Sequence, residues 1–537
     1  MSDTPEEKKN PFREIIQPFI DLARAPRVLW GINLAYVIEG MVYFGMLGYL
    51  AIHFSSFIFQ GVEGADDYSH KMVMILTAGI ALSMVFLGGV PDKWGVRKAL
   101  IAAFLFMIAG RALMSAAPNL LGLQPAGLWS SLHLVTMLGI LLVVIGYGMY
   151  QPAAYAGVRK FTNPKTADMA FIMLYALMNL GAWFPTFAFL LRDEHYANLG
   201  IPGTYWVYTG FTVVALILTV LILSRKTEAR GIATAKQETA QLKAAQAEKK
   251  DQDATAKEEQ RGPDKVEFQE TSSPEREVAE RKHIPLHLWG MVVAIVVSFY
   301  FAFGAPWWYI LGVPLLLAAA MVAAIPAGRR WVARHPLSNG KFFFFIFALI
   351  PVQTLFTYNW FVLPQYISRS YEGWMGEYFE IPSNLNPLLI FILAPIVAAL
   401  TRKRKVYNMM IVGTFVMAAP AFLLAIKPGF STMMGYLVFM TIGEAIWQPR
   451  FLQYAAQIAP EGRTGIYLGV AQLPWFLTKV VVPLLYSGKV MAQYCPAEGP
   501  KDTETMWFIF GCIAICSTIL LLLAKRWIGK DFKTKAD

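Results

Sequence analysis

Apolar positions along this chain come in long unbroken runs rather than in the alternating or stripe-like patterns of soluble elements. Runs near twenty residues long are the length a helix needs to cross a bilayer. They are read at about 28–53, 71–91, 98–117, 131–153, 167–191 and 204–224. A polar stretch rich in Ala, Glu, Lys and Gln follows at 225–284 and is expected to be a linker or a solvated helix, since it cannot bury a core. Two apolar runs at about 286–304 and 307–326 then form a hairpin through Phe303-Gly304-Ala305-Pro306-Trp307-Trp308. Six more lie near 341–366, 385–401, 407–426, 433–457, 464–487 and 505–526. The pattern predicts an all-α polytopic membrane protein of about fourteen spans, grouped six, two and six.

That grouping sets the expected organisation: an N-terminal cytoplasmic segment (1–27), a six-helix bundle (28–224), the charged linker (225–284), the hairpin (285–328), a second six-helix bundle (329–526) and a cytoplasmic tail (527–537). The first 27 residues lack the apolar core of a signal peptide. Phe12, Ile15, Ile16, Phe19 and Ile20 would share one side of a short surface helix, or the segment is a frayed tail.

Composition agrees. Of 537 residues, 56% are hydrophobic and only 15% charged, against about 25% charged in soluble domains. The net charge of +11 would suit nucleic acid, but the basic residues cluster at span ends. Lys93, Arg97, Lys98, Arg159, Lys160, Arg225, Arg329, Arg330, Arg402, Lys403, Arg404, Lys525 and Arg526 fall on one side, whereas Asp66, Asp67, Asp193, Glu372, Glu377 and Glu380 fall on the other. The positive-inside rule then makes both termini cytoplasmic, in a cell (inner) membrane, with the bilayer and not nucleic acid as the partner. Three cysteines without paired spacing give neither a disulfide framework nor a metal site, and no cofactor is expected.

The halves repeat one another. Gly146-Tyr147-Gly148-Met149-Tyr150-Gln151-Pro152 in the fourth span matches Gly443-Glu444-Ala445-Ile446-Trp447-Gln448-Pro449 in the tenth of the twelve main spans. Turns containing Pro164 and Pro460 follow at similar distances. Repeated halves are a common construction of secondary transporters. Pro152 and Pro449 remove a helical donor at matching places, so they are candidate bending points for gating. There is no GxxxxGK[ST] phosphate loop, HExxH or GxSxG. An ATP-driven pump and an intramembrane enzyme are therefore disfavoured.

Gly88-Gly89-Val90-Pro91-Asp92-Lys93-Trp94-Gly95-Val96-Arg97-Lys98 resembles the loop signature of the major facilitator superfamily, in which Asp92 and Arg97 would steady one state of the access cycle. Leu174-Tyr175-Ala176-Leu177-Met178-Asn179-Leu180-Gly181-Ala182 is similar to the FYxxINxGS signature of the proton-dependent oligopeptide transporter family. The stretches from Glu380 to Leu400 and from Gly443 to Phe476 resemble its eighth and its tenth and eleventh spans. The resemblance implies a major facilitator fold and proton symport of small peptides or peptide-like solutes by alternating access.

Residue by residue, the carry-over departs from the family. Members carry ExxERFxYYGM in the first span; aligned on Tyr43-Phe44-Gly45-Met46, the second glutamate is Glu39, the first is Tyr36 and the arginine is Gly40. Gln151 stands where a lysine precedes the fourth-span proline, and Thr357 where a seventh-span glutamate would be. A carboxylate at the centre of a membrane helix costs roughly 2.5–3.5 kcal/mol, so Glu39 and Glu444 are the expected proton-coupling residues. Tyr43, Gln151, Tyr175, Asn179, Gln353, Asn386, Trp447 and Lys479 are the expected cavity lining. Lys479, which could also pair with Glu444, and Arg450 are cations able either to replace the lost basic partners or to snorkel toward an interface, whereas Arg111, near the outer end of its span, is expected to snorkel. With two basic partners gone, a neutral or cationic solute, or uncoupled facilitation, is the alternative cargo or mode. A transporter-like receptor or scaffold working through the linker is the alternative of another class.

Overall fold

The computed structural model describes residues 26–163, 167–258, 284–303, 312–401, 404–457, 467 and 470–528. The N-terminal surface helix, the turns at Pro164 and Pro460, the Gly304–Trp308 turn and the tail from 529 lie outside them. All regular structure among the described residues is helical.

The first bundle contains α1 (Arg27–Ile52), α2 (Ala65–Leu87), α3 (Val96–Asn119), α4 (Ser131–Phe161), α5 (Ala167–Trp183) and α6 (Gly200–Ile222). Local chemistry sets several ends. Gly64, at φ 75°, precedes α2, whose first turn carries Asp66 and Asp67 where the helix dipole favours anions. Gly95, at φ 84°, turns the chain from a five-residue helix (Val90–Trp94) into α3, a backbone angle that favours glycine. The Ser130 hydroxyl caps α4 by accepting the His133 N–H. The chain leaves α1 through a π-helical turn, His53–Ile58.

The predicted linker is helical from its start. The helix α7 (Arg225–Glu258) opens on Ser224, whose Oγ accepts the Thr227 N–H at 3.2 Å. Its first turns rest on the bundle: Gly231 meets Val28, Ala235 is buried, and Asn163 donates to Glu238 at 2.7 Å. The hairpin holds α8 (Leu286–Phe303), α9 (Val313–Ala324) and α10 (Pro326–Arg334), with α10 leaving α9 at 97°.

The later part of the chain is more broken than the apolar runs suggest. The run at 341–366 becomes α11 (Gly340–Ala348), α12 (Ile350–Phe361) and a short helix Leu363–Ser370. Pro351 and Pro364 each lie in the first turn of the following piece, where a missing N–H costs least. Then come α13 (Leu385–Thr401), α14 (Val406–Ala418), α15 (Phe430–Gln457), α16 (Leu473–Val481) and α17 (Thr503–Ile528). A π-helical turn, Val482–Tyr486, links α16 to Ser487–Tyr494. Among the described residues, seven helical stretches are long and apolar enough to cross a membrane, and an eighth if the bent α9–α10 pair is counted.

The chain forms two compact units. One contains Met1–Ala65, Ile75–Phe268 and Tyr378–Ala399; the other contains Asp66–Met74, Gln269–Glu377 and Leu400–Asp537. In each, the helix that bears the repeated motif crosses the preceding helix at the motif's first glycine. A Cβ on Gly146 would lie 2.9 Å from the Ala103 carbonyl oxygen and 2.5 Å from Met107 Cγ. A Cβ on Gly443 would lie 2.7 Å from the Gly413 carbonyl oxygen and 2.6 Å from Met417 Cα. The matched glycines thus meet a pair four residues apart on the preceding helix in both halves, the close approach that small residues permit between membrane helices. Pro152 and Pro449 both lie inside helices that continue past them.

Candidate functional site

Glu39 lies on α1 with no exposed surface, and its partner comes from α3. Arg111 Nη1 and Nη2 donate to the two Glu39 carboxylate oxygens at 2.9 Å each. Tyr147 on α4 donates its O–H to Glu39 Oε2 at 2.7 Å and accepts from Arg111 Nη2 at 2.9 Å. Thr212 on α6 accepts from Arg111 Nη1. Four helices meet at one desolvated ion pair, and Arg111, at 1% exposure, does not snorkel. The correction has a plain geometric cause: the Glu39 carboxylate faces Arg111 across the bundle and accepts from both of its Nη groups.

The same region explains the departures from the family motif. A Cβ on Gly40 would lie 2.6 Å from the Met178 carbonyl oxygen, because α1 crosses α5 there with Gly181 opposite. No arginine fits at 40; α3 delivers the cation to Glu39 instead. Tyr36, in the place of the first glutamate, stacks on Tyr150 with ring centroids 5.4 Å apart. Tyr43 packs edge-on to Tyr147 at 5.1 Å, and a small cavity beside it is lined by Met46, Leu76, Arg111 and Ile140. Gln151 is half-buried on α4. Asn179 is half-buried on α5; Tyr175 lies on the same helix, its side chain outside the described residues. Asn386, at the start of α13, is buried.

In the other unit, α12 and α16 run side by side. Phe356 lies 4.9 Å from Trp475, and one turn on, Lys479 Nζ lies 5.9 Å from the centroid of Trp360. Lys479 forms no ion pair among the described residues. Gln353, one turn before Thr357 on α12, is fully buried, and neither its amide oxygen nor its amide nitrogen is hydrogen-bonded among the described residues. Glu444 is buried on α15. Trp447 is fully buried, its Nε1–H directed at Met417 Sδ 3.1 Å away, which makes it a packing residue. Arg450 donates to Thr401 Oγ1 at 3.0 Å. Pro449 lies within α15, its side chain outside the described residues.

Of the expected gating residues, Asp92 is exposed in the Val90–Trp94 helix and Arg97 is half-buried at the start of α3. No ion pair joins them among the described residues. Pro152 sits 3.9 Å from where a Cβ on Gly88 would be.

Two charged clusters on the acidic side escaped the sequence reading, and each joins residues from both six-span halves while lying within one compact unit. Asp66 binds Arg369 Nη1 and Nη2 at 2.7 and 2.8 Å, and His70 bridges Gln365 and Ser487 at 2.9 and 2.7 Å. Glu380 Oε1 accepts from Arg192 Nε at 2.8 Å and from the Tyr49 O–H at 2.6 Å. The unmatched acids of those loops were the available signal. No group of metal-ligating side chains occurs among the described residues, and Cys495, Cys512 and Cys516 are all free.

Residues 66–483 match the family model described as Major Facilitator Superfamily. No curated protein matches the chain. Among solved structures, a peptide transporter POT in complex with sulfate is similar, at 16% identity and a TM-score of 0.60 over 95% of this chain and 96% of that one. A POT family transporter in complex with 5-aminolevulinic acid covers 94% and 97% at 15% identity and a TM-score of 0.60. An auto inhibited POT family peptide transporter covers 94% and 97% at 16% identity and 0.62. These likenesses give the fold, and the family match extends over more than half of the sequence. The chain belongs to the major facilitator superfamily.

Proposed function

We propose that this transporter moves a small peptide or peptide-like solute with protons by alternating access, and that Lys479 receives the solute's carboxylate. The observation that carries the assignment is the Lys479 ammonium, held against Trp360 on α12 with no ion pair among the described residues. Gly40 and Gln151 remove the two cations expected from the family motif, and Arg111 is committed to Glu39. The solved structure named as a peptide transporter, and the POT family transporter holding 5-aminolevulinic acid, support a small amino-terminated acid as the class of cargo.

Glu444, buried on the helix that bears the repeated motif, is the proposed proton carrier; Glu39 anchors Arg111. Gln353 offers an unmatched amide to a peptide group, and Tyr43, Gln151, Asn179 and Asn386 complete the proposed polar lining. The Asp66–Arg369 and Arg192–Glu380 pairs join the two sequence halves, so an access cycle has to break them. Asp92, Arg97, Pro152 and Pro449 keep their proposed role as the moving parts on the basic side. The charge bias of the span ends supports a cytoplasmic location for that side and for both termini, and with it an inner-membrane protein.

The test is proton entry into proteoliposomes loaded with a pH dye, on adding a dipeptide mixture. The parent should respond, Glu444→Gln should abolish the response, and Lys479→Gln should abolish it for peptides with a free carboxylate. A silent parent overturns the proposal and directs the search to uncharged solutes.

A further inference from the structure

The hairpin ends in a helix of unusual make-up. After the apolar α9, Ile325 is extended and Pro326 restarts the chain as α10, turned by 97°. Gly328 permits the turn: a Cβ there would lie 3.1 Å from the Val322 carbonyl carbon. If α9 stands along the bilayer normal, α10 lies along the bilayer surface.

At about 100° per residue, Arg329, Arg330 and Arg334 fall within one arc of about 140°, while Gly328, Trp331 and Val332 occupy the opposite one. All three arginines are exposed. Trp331 is 66% exposed, and Ile325 and Met321 extend that apolar surface onto α9. No acidic residue occurs anywhere from Arg281 to Tyr371, so the local sequence has nothing to neutralise the cluster. Arg329 and Arg330 make no ion pair among the described residues. The far end of α10 is fastened: Ser338 Oγ donates to the Val332 carbonyl, and a His287 ring nitrogen lies 2.9 Å from the Leu337 carbonyl oxygen.

We infer that α10 is a docking helix for anionic phospholipid, its Trp331 arc in the acyl boundary and its arginines on headgroup phosphates. A fixed amphipathic helix whose Arg329 and Arg330 guanidinium groups form no ion pair among the described residues suits that surface in geometry and in charge. The occupant is a lipid rather than a soluble anion because the apolar arc and the basic arc are presented together, on a helix that directly follows the apolar α9.

The full chain in neutral detergent, titrated with headgroup-labelled phosphatidylglycerol and with the matching phosphatidylcholine, tests this. The parent should prefer phosphatidylglycerol. Replacing all three arginines with Gln should weaken that preference by about 5-fold per residue, and the Arg→Lys triple should keep most of it. Gln variants whose size-exclusion profile departs from the parent's are replaced by Arg329→Gln and Arg330→Gln singly, each expected to lose its own share. A folded Gln triple with undiminished preference overturns the inference. So does loss of the parent's preference on adding inorganic phosphate at the lipid concentration, which would reassign the cluster to a soluble anion.

Discussion

Replacing Glu39 with Gln keeps the side-chain shape and removes only the charge, and the surrounding geometry fixes what that costs. Arg111 loses its counter-ion while it remains 1% exposed, and one of its two 2.9 Å bonds becomes a contact between two donors. Breaking a buried ion pair from one side costs about 3–5 kcal/mol, because the remaining charge is left uncompensated. The double variant Glu39→Gln/Arg111→Gln removes both charges, so no uncompensated charge is left buried. It should recover most of the loss. The assay is thermal unfolding of the purified chain in detergent, with proton entry in proteoliposomes alongside. Glu39→Gln should melt well below the parent, and the double variant close to it with transport restored. A single variant that melts with the parent would refute the argument. A double variant that melts like the parent yet moves no protons would assign the Glu39–Arg111 pair a direct part in proton transfer.

Gly40→Ala places a methyl 2.6 Å from a backbone oxygen that cannot rotate away, and overpacking of this kind costs about 1–3 kcal/mol. Gly48→Ala on the same helix meets nothing within 4 Å and should be neutral or stabilising, by up to about 1 kcal/mol, in the same unfolding measurement. Cys495 is fully buried, with Arg369 donating to its carbonyl oxygen at 3.0 Å, and burial pushes its thiol up from its ordinary value. Burial thus limits both access to the thiol and its ionisation, so a water-soluble maleimide at pH 7.5 should leave Cys495 unlabelled in the folded parent. Asp66→Asn, which removes the charge that Arg369 binds, should open it to labelling, and rapid labelling of the parent would contradict the described packing.

Apolar run length sufficed to read the all-helical, multi-span architecture, because a bilayer leaves a chain few alternatives. It did not reveal where a run breaks, since Pro351 and Pro364 act through local backbone chemistry that mean hydropathy does not register. The repeated Gly…Gln-Pro motif was visible as letters, but its cause, a glycine seated between Ala103 and Met107 or between Gly413 and Met417, is a tertiary contact. Glu39 stood out because a charge in an apolar run is conspicuous. Its partner did not, because Arg111 is 72 residues away and its distance from the span end pointed to an interface. Intramembrane charges of opposite sign in one bundle tend to pair with one another, which is the rule that Glu39 and Arg111 follow. The absence of a cation at Gly40 was legible, whereas the helix crossing that forbids one was not.

The anchored start of α7 bears on how this protein can be seen at all. Chains buried in a micelle offer little soluble mass by which single-particle images can be aligned. Here Gly231, Ala235 and Glu238 hold one end of a helix that continues to Glu258. At 1.5 Å per residue the part beyond Glu238 is about 30 Å long. A compact domain fused in helical register near Glu258 would inherit the bundle's orientation, giving a fiducial that leaves every proposed transport residue untouched.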